Sequence, residues 1–199
     1  MECKPGYPGD FNILLQTKLK GWQLERLCEQ SCSPPIFVYG HLMLPTALKY
    51  TIGLPQSTKV DMVHASLSGY KLWHSSEKGE LGLPTIRPSP SKPAKVEGML
   101  VFGLTQEQCG AVGEHEGAQI KHTKLEHVTV EVSLVDRVSG HEAKCEKSVD
   151  AGAFVWDYYS NGLRAMDSSF WPIDEFINGQ FYRNIVRCQY STQGEESMD

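Results

Sequence analysis

Runs of bulky apolar residues, separated by glycine and proline, set the first division of the chain. Ile36-Phe37-Val38-Tyr39 places four β-favouring side chains in a row behind Pro34-Pro35, which predicts a buried strand. Gly40 follows at a point where a strand interior disfavours glycine, so the chain is free to turn sharply there. A strand that ends in such a turn, with its amides pointing outward, suits an anion such as a carboxylate. The same residues also read as an ordinary strand and turn.

Alternation continues along the chain. Val60 to Trp73, Lys95 to Phe102, Thr123 to Asp136 and Ala151 to Tyr158 each read as strands, because apolar and polar residues alternate or β-branched residues dominate. Helical spacing takes over elsewhere. Asp10 is placed as an N-cap before Phe11, Leu14, Leu15, Trp22 and Leu27, with Gly21 as a break. Leu44 to Tyr50 forms a short helix. Thr105 and Gln108 form a capping box for a helix that Gly117 is expected to stop. Trp171-Pro172 opens a last helix with Ile173, Phe176, Ile177, Ile185 and Val186 on its apolar face. The polar stretch 137–150 reads as an exposed turn. The loop 75–95 holds one apolar island, Leu83-Pro84-Thr85-Ile86. Five or six strands with few helices give an α+β domain, with a small closed barrel as one solution.

Composition narrows the class. The 199 residues suit one domain with decorated ends, and 40% hydrophobic with 22% charged residues is ordinary for a globular protein. A net charge of −5 without a basic cluster argues against nucleic acid as a partner. No apolar run suits an export signal or a membrane span, so a cytoplasmic location is expected. Cys3, Cys28, Cys32, Cys109, Cys145 and Cys188 are scattered and read as free thiols. Cys28 and Cys32 have no second pair at zinc spacing, so no metal is expected.

One carboxylate stands out. In the helix after Thr105, Cys109, Val112 and Glu116 share a face at i, i+3 and i+7, whereas Glu114 falls off it. A carboxylate on the buried side of a helix is costly unless it is paired or used. Burial, together with the negative end of the helix dipole, should raise its pKa towards neutrality, which suits a general base. A glutamate that simply faces water is the plain alternative.

The order of these pieces resembles the γ-glutamylcyclotransferase-like superfamily, which includes the avirulence-induced plant proteins and fungal relatives. Tyr39-Gly40-His41-Leu42 matches its Tyr-Gly-x-Leu turn, Pro84-Thr85-Ile86 its Pro-x-Ile element, and Val96-Glu97-Gly98 its Val-x-Gly. Val112 to Gly117 matches its Leu-Asp-x-x-Glu-Gly in part, and Phe154-Val155-Trp156 its closing strand. The resemblance implies an α+β fold built as a small mixed β-barrel with flanking helices. It implies no metal and no cofactor. Glu116 would act as acid and base; His41, by its own place at the turn rather than by the resemblance, is a second catalytic candidate. Tyr39, Gly40, His41, Leu42, Pro84, Ile86, Ile120 and Trp156 would line the substrate site. The reaction it implies is cyclisation of a γ-glutamyl group to 5-oxoproline.

Four positions depart from the pattern. His41 replaces a small hydroxyl residue, Gly113 an aspartate, Ile120 a tyrosine, and Trp156 a tyrosine that often contributes to the pocket. A pocket that gives up hydrogen-bonding groups usually gives up the polar substrate that needed them. Three readings follow: a γ-glutamyl cyclotransferase, an acid–base lyase, cyclase or isomerase acting on a less polar secondary metabolite, and a non-catalytic binder of a small molecule or protein. His115, beside the glutamate on its helix, is read as a bystander. The layout is a helical extension (1–32), the matching domain (33–190) and a disordered acidic tail (191–199). The helical extension is a homodimer contact, a lid over the site or a packing element.

Overall fold

The computed structural model describes residues 1–75, 84–90, 93–119, 123–138, 141–157 and 163–195. In chain order the elements are α1 (Gly9–Gln16), α2 (Gly21–Gln30), β1 (Ile36–Val38), a 3-10 turn (Gly40–Met43) and α3 (Pro45–Thr51). Then come β2 (Asp61–Ser68), β3 (Tyr70–Ser75), β4 (Pro84–Pro88), β5 (Lys95–Phe102) and α4 (Gln106–Gln119). The last are β6 (Thr123–Val138), β7 (His141–Trp156), β8 (Leu163–Ala165), α5 (Ile173–Asn178) and α6 (Gln180–Glu195).

Five strands close a barrel in the order β1-β5-β2-β6-β7, and β4-β3-β8 form a smaller sheet. Phe37 on β1 pairs antiparallel with Leu100 and parallel with Ala153. The barrel is therefore mixed, and the fold is α+β with six flanking helices. Every residue of β1 is buried because both of its faces are covered. Phe37 joins the cluster with Leu100, Val130 and Ala151, whereas Ile36 and Val38 join the cluster that packs under Phe11, Leu48 and Ile185. That double burial is why the strand reads as a continuous apolar run rather than an alternation. Gly98 lets β5 approach β1: a Cβ there would sit 2.6 Å from the Phe37 ring.

Several boundaries differ from the sequence reading, each for a local reason. The single strand expected from Val60 to Trp73 is two, because Gly69, at φ 81°, swings β3 out of the barrel into the second sheet. The stretch 137–150, read as a turn, is largely strand. Charged residues dominate it because β6 and β7 extend as a two-stranded ribbon, with Leu134 opposite Cys145 and Glu131 opposite Ser148. The helix after Thr105 starts with the expected box, Thr105 N–H donating to Gln108 Oε1 and Gln108 N–H to Thr105 Oγ1. It then passes Gly117 and ends at Gln119. The last helix is two, parted at Gly179, and α6 runs to Glu195, inside the stretch read as a disordered tail.

At the N-terminus, α1 and α2 replace one broken helix. Asp10 lies in the first turn rather than at the cap, its carboxylate accepting from Phe11 N–H and from Thr46 Oγ1. Phe11 and Leu24 are buried, Val135 N–H donates to Leu19 O, and the terminal ammonium of Met1 pairs with Glu97 at 2.5 Å. These residues pack on the barrel and its helices. None of the six cysteines forms a disulfide. No helix among the described residues is long and apolar enough to cross a membrane.

Candidate active site

The turn after β1 gathers several of the candidate residues. Tyr39 ends the strand in extended conformation, and Gly40 turns the chain at φ 74° into the 3-10 turn. Pro84 closes over the glycine: a Cβ on Gly40 would overlap Pro84 Cγ and lie 3.3 Å from its Cδ. The Tyr39 hydroxyl donates to Phe154 O on β7. It also lies near the Thr85 hydroxyl, which is fully buried and has no partner of normal hydrogen-bond geometry among the described residues. Burial first, and the charge of Glu116 second, hold the Tyr39 hydroxyl well above its ordinary range. Thus Tyr39, Thr85 and Glu116 share one neighbourhood, although they lie on a barrel strand, the second sheet and a helix.

Glu116 sits near the C-terminal end of α4, on the same helix as fully buried Val112. The residue as a whole keeps some contact with solvent, but protein atoms crowd its carboxyl. That desolvation raises its pKa to about 8, as expected for a buried carboxyl whose charged form is disfavoured. The carboxyl is therefore mostly protonated at neutral pH and can both release and take up a proton there.

The neighbouring residue on the helix makes a contact of its own. His115 Nε2 meets His41 Nε2 at 2.8 Å, with the rings edge-to-face at 65°. His41 is 4% exposed, and burial, helped by His115, brings its pKa down to about 3. Burial lowers His115 as well. Both rings are neutral at pH 7, so one donates its N–H and the other accepts. Phe176 also packs against His41, with ring centroids 5.1 Å apart, and Phe181 lies at 6.5 Å. Successive residues of one helix thus address the two residues either side of Gly40: Glu116 acts on Tyr39, and His115 binds His41.

The residues expected at the site divide by what they touch. Glu116, His41, Tyr39, Gly40 and Pro84 converge. Leu42 and Ile86 are wholly buried in the two apolar clusters, so their side chains pack the core and only main-chain atoms are left for a ligand. Trp156 is half-buried at the end of β7, opposite Thr123. Ile120 lies outside the described residues. His115, read as a bystander, is a partner of His41; Thr85, Phe154 and Phe176 were noted only as parts of their motif, strand and helix face, and Phe181 was not noted. The tertiary contacts that reveal them span up to 140 positions along the chain, from His41 to Phe181, beyond any local pattern.

One departure from the family pattern now has a geometric reason. A Cβ at Gly113 would lie 3.2 Å from the Phe154 ring, so that ring takes the room an aspartate would need. Among the described residues no group of three or more His, Cys, Asp or Glu side chains is placed to hold a metal.

Residues 36–172 match the sequence model of the family described as "Gamma-glutamyl cyclotransferase, AIG2-like". Among solved structures, a gamma-glutamyl cyclotransferase is similar at 19% identity and a TM-score of 0.42, covering 67% of this chain and 71% of that one. An uncharacterized protein from Homo sapiens is similar at 18% identity and a TM-score of 0.45, covering 67% and 72%. No curated protein matches the chain significantly.

Proposed function

The chain belongs to the gamma-glutamyl cyclotransferase, AIG2-like family, and from that premise we propose that it is a cofactor-free acid–base enzyme of the γ-glutamyl cyclotransferase type. Its substrate would be a γ-glutamyl amine or a glutathione conjugate. The observation that carries the reading is Glu116, a carboxyl with its pKa near 8 whose charge reaches Tyr39, next to the turn at Gly40.

In this reading the turn holds the substrate α-carboxylate through main-chain amides. Glu116 takes a proton from the α-ammonium, and the freed amine attacks its own γ-carbonyl. The new C–N bond closes a five-membered ring as the old amide C–N bond breaks. The proton on Glu116 passes to the leaving nitrogen and the second proton of the attacking nitrogen goes to the released amine, so the products are 5-oxoproline and a protonated amine. Both reacting groups belong to one molecule, so the protein supplies enforced proximity and a proton shuttle. The neutral, buried His41 serves to hold the turn rather than to carry a proton.

A second reading has its own support. Phe154 fills the space beside Gly113, and the His41–His115 pair, flanked by two phenylalanines, stands where the family pattern has a small hydroxyl. Such a wall suits a less polar metabolite on which Glu116 would drive a lyase, cyclase or isomerase step. The deciding experiment is release of 5-oxoproline from a panel of γ-glutamyl amides and glutathione conjugates. Release favours the first reading, and a negative panel with folded protein favours the second.

A further inference from the structure

The contact between the turn and the end of α4 is a hydrogen bond between two neutral rings, and it joins residues 74 positions apart. We propose that the His41–His115 bond is a clamp that fixes the end of α4, and with it Glu116, against the turn that opens at Gly40. His41 is a fixed anchor. It is buried, belongs to a turn whose four residues are all buried, and is wedged against Phe176. His115 is half-buried and has the adjacent position to Glu116 in the chain. Consecutive helix residues point about 100° apart, so fixing the His115 ring fixes the direction in which the Glu116 side chain leaves the helix.

The helix needs such a fastening. Among the residues of α4 whose burial is described, Val112 alone is fully buried, and Glu114 is exposed. Glycines at 110, 113 and 117 provide little side-chain packing, and the Cβ positions at 110 and 117 open on empty space. A helix with few apolar anchors and three glycines holds its orientation weakly. The imidazole pair supplies a directional contact where apolar packing is thin. His41 and His115 are positioning residues in this account. It rests on Glu116 being the acid–base group, but it is read from the state of that carboxyl rather than from turnover.

The test is a pH titration of the Glu116 carboxyl by carbon NMR, with the signal assigned by its loss in Glu116→Gln. It is carried out on the full chain and on His115→Phe, His41→Phe, the double variant and His115→Gln. The clamp requires that His115→Phe and His41→Phe each lower the Glu116 pKa by one unit or more, as the helix end loosens and water reaches the carboxyl. The double variant should shift no further than either single one. His115→Gln, which can still donate an N–H to His41 Nε2, should stay within half a unit of the wild type. An unchanged Glu116 titration in folded His115→Phe overturns the clamp. Should that variant fail to fold, a full one-unit drop in His115→Gln equally overturns it. A wild-type Glu116 that titrates at an ordinary value would overturn the acid–base reading itself. A negative 5-oxoproline assay would leave the clamp result standing.

Discussion

Gly40 and Pro84 are packed so closely that no side chain fits between them, although they lie on the turn after β1 and at the start of the second sheet. The glycine also sits at φ 74°, where an L-residue is strained by roughly 1–2 kcal/mol. Overpacking adds about 1–3 kcal/mol. Gly40→Ala should therefore cost about 2–5 kcal/mol, read as a lower urea midpoint at unchanged slope. A loss below about 1 kcal/mol would mean that Pro84 moves aside freely.

The Tyr39 hydroxyl links the base of the turn to β7 through Phe154 O. Tyr39→Phe keeps the ring and leaves that carbonyl without its donor, at a cost of about 1–3 kcal/mol. Unchanged stability in urea unfolding would mean that the Tyr39 hydroxyl does not hold the turn to β7.

Gly113→Asp would restore the residue of the family pattern, but its Cβ meets the Phe154 ring. We expect a loss of about 1–3 kcal/mol, and a double variant with Phe154→Ala less destabilised than the sum of the two single ones, since the two positions share one space. Additive losses in thermal melts of the single and double variants would contradict that coupling.

Stability should peak near pH 6.5. His41, at about 3 in the fold, binds protons more readily when unfolded, so it contributes stability that is full above its unfolded value of 6.5 and is lost as pH falls towards 3. His115 and His64, both lowered, act in the same direction. Glu116 has the opposite sign: it is raised to about 8 from 4.5, so its contribution is full below 4.5 and is lost as pH rises from there through 8, offsetting the histidines between 4.5 and 6.5. Glu116→Gln should abolish the alkaline fall between pH 6.5 and 8, worth on the order of 1–2 kcal/mol, and steepen the acid fall between 6.5 and 4.5. Urea unfolding at a series of pH values separates the two limbs. An alkaline limb that survives in Glu116→Gln would assign it elsewhere.

How much could be read in advance depended on the range of each interaction. The strands at 36–39 and 95–102 were legible because both faces or alternate faces are buried, and the box at Thr105 and Gln108 because capping is local. Glu116 was legible because helical spacing put it on the face of Val112. The ribbon through 141–149 was not, since both sides of a solvent-exposed hairpin can carry charge. His115 was misread for a related reason: spacing along α4 says which face it occupies, but only the folded turn brings His41 to that face. The path of α4 beyond Gly117 shows that a glycine permits a helix to end but does not compel it to.

The most direct test is the rate of 5-oxoproline release by wild type and by folded Glu116→Gln on the best substrate of the panel. Loss of a general acid–base group costs typically 10²–10⁴-fold, so the variant should fall by roughly that factor in kcat, and the wild-type rate should rise with pH towards a limb near 8. A variant that keeps its rate within a few-fold of wild type would contradict the assignment of Glu116 as the group that moves the proton.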